Sequence, residues 1–137
     1  FSQIGGRVFP LSAEGKVLYH AANVLASNYL VSLLECAHRL YVAAGIPEER
    51  SWRLMEPLVR GALDNVVNLG PTKALTGPIA RGEGRVVEAH MGAVAQMNPL
   101  VGEIYARLGL VAADIAASQG LSADKVEIIR SVLNERR

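Results

Sequence analysis

Half of the 137 residues are hydrophobic and only 5% are aromatic, so the chain can fill one domain core, mostly with Ala, Leu and Val packed between helices. A net charge of +1 with no Lys/Arg run disfavours a nucleic-acid partner. A single cysteine, Cys36, excludes a disulfide framework and a cysteine-based metal site. One thiol and no secretory signal pattern suit a reducing cytoplasm, the compartment expected here.

The chain begins at Phe1, and Arg7-Val8-Phe9-Pro10-Leu11 reads as a short strand after a Gly5-Gly6 turn. A lone strand is not stable alone. The expectation is therefore a fragment of a longer protein. Residues 1–12 would be a linker or the last strand of an absent domain, and residues 13–137 a helical domain.

Leu11 to Gly45 contains no proline and carries helical signals at both ends. Ser12 or Ala13 opens it, Glu14 sits in the first turn, and Gly45 with Pro47 closes it. A helix of about thirty residues, roughly 45 Å long, is predicted. Taking His20 as zero at about 100° per residue, Lys16, Asn23 and Ser27 fall near −40°, −60° and −20°, and Asn28 about 80° to the side. The neighbours are apolar or small, so a mostly buried helix with one polar seam is expected. Such groups need partners, either neighbouring helices or a ligand. The uncharged run Val17 to Leu34 contains His20, Asn23, Ser27 and Asn28, which a bilayer would penalise heavily, so no membrane span is expected.

A second helix is predicted from Pro47 to Leu69, with a kink or break at Pro57 and a stop at Gly70-Pro71. Asn65 and Asn68 near its end are read as capping or exposed, with Asn65 as the candidate to point inward. Gly70 to Gly82 is punctuated by two Gly-Pro pairs and reads as a connector with one turn at Thr72 to Leu75. It lacks the Gly-Lys-Ser/Thr ending of a P-loop. It could also bring Thr76 and Arg81 beside the polar seam, with Arg81 as a carboxylate clamp.

Glu83 to Gln96 forms a third helix carrying His90, a residue more often packed or capping than catalytic. Asn98-Pro99 starts a fourth, Leu100 to Ser118, and Ser122 caps a fifth, Ala123 to about Glu135. The fold class is all-α: a bundle of about five helices around the long first one. No metal constellation is expected, because no His pair stands at i,i+4 and His38 lies about 27 Å along the helix from His20.

Three stretches then carry a family resemblance: Leu18-Tyr19-His20-Ala21-Ala22, Ala26-Ser27-Asn28-Tyr29-Leu30-Val31, and Leu75-Thr76-Gly77-Pro78-Ile79-Ala80-Arg81-Gly82. From Gly5 to about Ser118 the chain resembles DUF2520, the C-terminal helical domain of bacterial Rossmann-like oxidoreductases. That domain is similar to the C-terminal domain of 6-phosphogluconate dehydrogenase. The resemblance implies a full-length protein that binds NAD or NADP mainly through a dinucleotide-binding domain. No strand followed by G-x-G-x-x-G is present here, so this chain alone is expected to bind no cofactor. The superfamily's long helix carries a Lys-x-x-x-Asn pattern, from which this sequence departs, with His20 about where that Lys would fall.

On that basis His20 is the candidate acid/base residue. Asn23, Ser27, Asn28, Thr76, Pro78 and Arg81 are the candidate substrate-binding residues for a small molecule. They are expected to converge in a small pocket facing the absent domain. A homodimer through the apolar faces is also expected. The competing reading is a non-enzymatic helical dimerisation or ligand-sensing module. The sequence upstream of Phe1 separates the two: a strand with a Gly-rich turn there favours the first.

Overall fold

The computed structural model describes residues 10–135, and every element among them is an α-helix. The expected strand from Arg7 falls, up to Phe9, outside the described residues. In chain order the helices are α1 (Ala13–Ala26), α2 (Asn28–Ala43), α3 (Glu48–Leu69), α4 (Pro71–Ala74), α5 (Gly77–Arg81), α6 (Gly84–Met97), α7 (Pro99–Ser118) and α8 (Ala123–Asn134). With α1 and α2 joined end to end, the long elements are the five helices anticipated, in an all-α fold.

The helix limits follow the local chemistry. The Ser12 hydroxyl accepts from the Gly15 amide at 3.0 Å, satisfying an otherwise unpaired donor at the start of α1. After α2, the Gly45 amide donates to the Val42 carbonyl and the Ile46 amide to the Tyr41 carbonyl, the paired bonds that end a helix sharply. The Asn98 side chain accepts from the Leu100 and Val101 amides and starts α7, with Pro99 in its first turn. Pro57 was expected to kink or break the second helix, yet α3 runs through it as one element. A proline removes one ladder bond and clashes with one carbonyl, and the rest of this 22-residue helix carries the segment across. Asn65 is exposed, and the Asn68 amide donates to the Asp64 carbonyl at 2.8 Å.

Two units, Phe1–Arg39 and Leu40–Arg137, divide the chain. In the second, α6, α7 and α8 pack on one another and α5 packs on α6 and α7. Val87, Met91, Ala106, Ala113, Ile129 and Leu133 form the buried cluster, with Ile79, Tyr105, Leu110 and Val132 packed against it. Val87, Ala113 and Ile129 expose nothing. A fully buried aliphatic side chain of the size of Val or Ile contributes about 1.5–3 kcal/mol, so these three helices are fixed mainly by apolar burial. Small residues let α6 and α7 approach: a Cβ on Gly102 would meet the Ala95 Cα at 3.0 Å.

In the first unit α1 contains no buried residue. This corrects the expectation of a mostly buried helix. Val17, Leu18, Tyr19, Leu25, Tyr29 and Val31 are all exposed. Apolar residues on every side of a helix signal burial, but the pattern does not say that the covering surface belongs to the same chain. The joined helix Ala13–Ala43 spans 31 residues, and its most apolar window has a mean hydropathy of 1.3. By length and composition alone that would suffice to cross a bilayer. Much of α3 is likewise exposed, at Leu54, Leu58, Leu63, Val66, Val67 and Leu69.

Candidate functional site

The candidate residues fall into two groups, one in each unit. The first group sits at the joint between α1 and α2. There the backbone of Ser27 leaves helical geometry (φ −122°, ψ −68°). The hydroxyl of Ser27 donates to the Asn23 carbonyl at 2.6 Å, the same carbonyl that accepts from the Ser27 amide at 3.0 Å. A serine hydroxyl competing for the carbonyl four residues back is a known cause of helix bending. Ser27 also lies 3.0 Å from the Asn28 side-chain oxygen. The side chains of Ser27 and Asn28 are therefore brought together in a small polar knot, which Asn23 joins through its backbone carbonyl. His20 lies one turn before Asn23 and is exposed. The predicted unbroken helix is thus interrupted at Ser27, at the C-terminal end of the polar seam.

The second group lies on α5. Thr76 is the extended residue before the helix and makes no side-chain cap bond, Pro78 is in the first turn, and Arg81 ends the helix. Gly82 then adopts φ 70°, the left-handed conformation that side chains disfavour. Its amide donates to the Ile79 carbonyl and the Glu83 amide to the Pro78 carbonyl. The turn is also closed from outside, because a Cβ on Gly82 would lie 2.7 Å from Lys125 Cδ and 3.1 Å from Leu121 Cδ1.

This turn sends the chain back on itself and sets Glu83 beside Arg81. Arg81 Nε donates to Glu83 Oε1 at 2.6 Å, and Nη2 donates to Oε2 at 2.9 Å. The hydrogen bond from Arg81, ahead of the charge attraction, holds the Glu83 carboxyl below the usual carboxylate range. The same partner raises Arg81 above its already high ordinary value. Arg81, the candidate carboxylate clamp, holds the carboxylate of Glu83, two residues further on.

Two contacts escaped the sequence reading. The Gln119 side-chain amide donates to the Thr72 carbonyl at 2.6 Å and the Leu75 carbonyl at 2.9 Å. One NH₂ group has two hydrogens and serves both acceptors. It ties the end of α7 to α4 and to the peptide just before Thr76. His90 Nδ1 and the Tyr105 hydroxyl share a hydrogen bond at 3.0 Å between α6 and α7, with their rings edge to face. His90 thus has a packing partner, and burial pushes the Tyr105 phenol up. The residue types gave a faint signal for that pair; nothing local marks Gln119. Among the described residues no three His, Cys, Asp or Glu side chains gather as a metal site would require.

Helix packing among the described residues defines an all-α helical domain. Residues 1–112 match the family described as a domain of unknown function, DUF2520, and the chain belongs to that family. No curated protein and no solved structure matches it. The match ends within α7, so Gln119 and all of α8 lie beyond it.

Proposed function

We propose that this chain is the substrate-binding and dimerisation domain of an NAD(P)-dependent oxidoreductase whose dinucleotide is held by another domain, of the kind that accompanies the 6-phosphogluconate dehydrogenase C-terminal fold. The observation that carries the reading is the Ala13–Ala43 helix. It carries exposed apolar side chains along much of its length, its first half buries nothing, and a polar knot stands where its two segments join. Apolar patches of this extent mark sites covered by another polypeptide. A polar knot inside such a surface is where a small ligand would be oriented.

The described residues do not fit the pyrophosphate of a dinucleotide. The glycines at 77, 82 and 84 frame a five-residue helix rather than a turn between strand and helix. This chain's residues take the other half of the task. His20 exchanges a proton with a substrate oxygen. In the first unit Asn23, Ser27 and Asn28 orient polar groups of a substrate; in the second, Thr76, Pro78 and Arg81 are the carboxylate-binding candidates, with Arg81 on the carboxylate. The cytoplasm is the compartment proposed.

Sedimentation of the chain at tens of micromolar without detergent tests the assembly. A dimer of the 14.6 kDa chain is expected. A monomer counts against the reading, and solubility only in detergent would assign the helix to a bilayer instead. Fluorescence titration with NADH and NADPH tests the division of labour, and micromolar binding to this chain alone would sink it. The competing reading, a non-enzymatic dimerisation or sensing module, draws on the self-satisfied knot at Ser27. His20→Ala in a full-length protein separates the two: lost turnover with the fold intact supports the enzyme.

A further inference from the structure

On the reading that Arg81 receives a substrate carboxylate, we infer that Glu83 is a built-in competitor, occupying the guanidinium as an internal pseudo-ligand that a small carboxylate must displace. The geometry is that of a bound carboxylate: two oxygens, 2.6 and 2.9 Å away, on the Nε and Nη2 edge of the arginine. That edge is one of the two forks a guanidinium offers to planar anions. The outer fork, formed by Nη1 and the second Nη2 hydrogen, remains. An anion there would share one positive charge with Glu83, so the glutamate opposes it from either side.

The backbone makes this contact inevitable. The left-handed turn at Gly82, closed by the bond from the Glu83 amide to the Pro78 carbonyl, returns residue 83 toward residue 81. Lys125 and Leu121 pack over Gly82 and hold the turn in place. The carboxylate is consequently kept at high local concentration without a long side chain searching for its partner.

The contact is also weak enough to yield. The two side chains are 60% and 38% exposed, and ion pairs at that exposure are largely solvated. Competition by Glu83 should therefore cost a ligand about two- to fivefold in affinity rather than block it. Such a contact grades its ligands: carboxylates that find further partners bind tightly, and those that offer only their charge bind weakly.

The test follows the Arg81 Nε–Hε resonance by NMR in the 137-residue chain, with sodium acetate exchanged for sodium chloride at constant ionic strength. Acetate should give a saturable shift whose midpoint falls about two- to fivefold in Glu83→Gln, with Glu83→Ala moving it the same way. Glutamine preserves shape and an acceptor oxygen, so the fold is not at risk from charge removal alone. Equal midpoints in native and variant chains would overturn the competition. A higher midpoint in Glu83→Gln would overturn it as well, and would make Glu83 a positioning residue. No saturable shift in either chain would remove the carboxylate site at Arg81 altogether, a distinct failure that reaches the functional reading itself.

Discussion

Gly102 sits where α6 and α7 come closest, and replacing it by alanine opposes two effects whose sizes can be compared. A Cβ there would lie 3.0 Å from the Ala95 Cα, 3.1 Å from its Cβ and 3.4 Å from its nitrogen. Non-bonded carbons prefer about 3.5–4.0 Å, so the helices would have to part locally by roughly a few tenths of an ångström. The obstacle is mainly backbone, which cannot rotate away. Overpacking of this kind costs about 1–3 kcal/mol, while exchanging a helical glycine for alanine returns about 0.5–1 kcal/mol. Gly102→Ala should therefore lose about 1–2 kcal/mol. Gly61, inside α3, has nothing within 4 Å of the same virtual atom, so Gly61→Ala should gain about 0.5–1 kcal/mol. Urea unfolding of both variants at one protein concentration measures the pair, since assembly makes stability depend on concentration. Equal stability changes, or a Gly102→Ala protein more stable than the native one, would refute the close approach of α6 and α7.

Gln119→Leu should release the Thr72 and Leu75 carbonyls and cost about 1 kcal/mol of local stability, read as roughly fivefold faster hydrogen exchange at the Ala74 and Leu75 amides. Exchange around Met91 should stay unchanged, and a uniform acceleration would contradict a local clamp. The Glu83 carboxyl is held low, so its contact with Arg81 is present above the ordinary carboxylate range and is lost as pH falls through the depressed value. Its side-chain ¹³C shift should titrate at lower pH than that of the unfolded chain, and Arg81→Leu should raise the midpoint; an unmoved midpoint would show that Arg81 is not the cause.

What could be read from the sequence was local. Ser12, Gly45, Gly70, Asn98 and Gly120 punctuate the chain where the helices begin and end, because caps and turns are decided within a few residues. Of the kink or break expected at Pro57, the break does not occur, because a long helix tolerates one lost bond. The burial of α1 was misjudged for a different reason: periodicity reports that a face is apolar, not whose atoms cover it. The knot at Ser27 was foreseen as a seam but not as a bend, since the competing hydroxyl bond becomes decisive only once the helix is built. Arg81 was legible as an anion-binding residue. Its partner was legible too, had the Arg-Gly-Glu order been read as a left-handed turn. Gln119 was not legible at all, for its acceptors are backbone atoms 44 and 47 residues away and leave no mark on residue type.

The core cluster has one more implication, for where the folding unit ends. The family match covers residues 1–112, yet Ile129 and Leu133 from α8 lie inside the same cluster as Val87 and Ala106. A segment cut at residue 112 would leave Val87, Met91 and Ala106 with an open wall, so α8 is a keystone of this fold rather than an appendage.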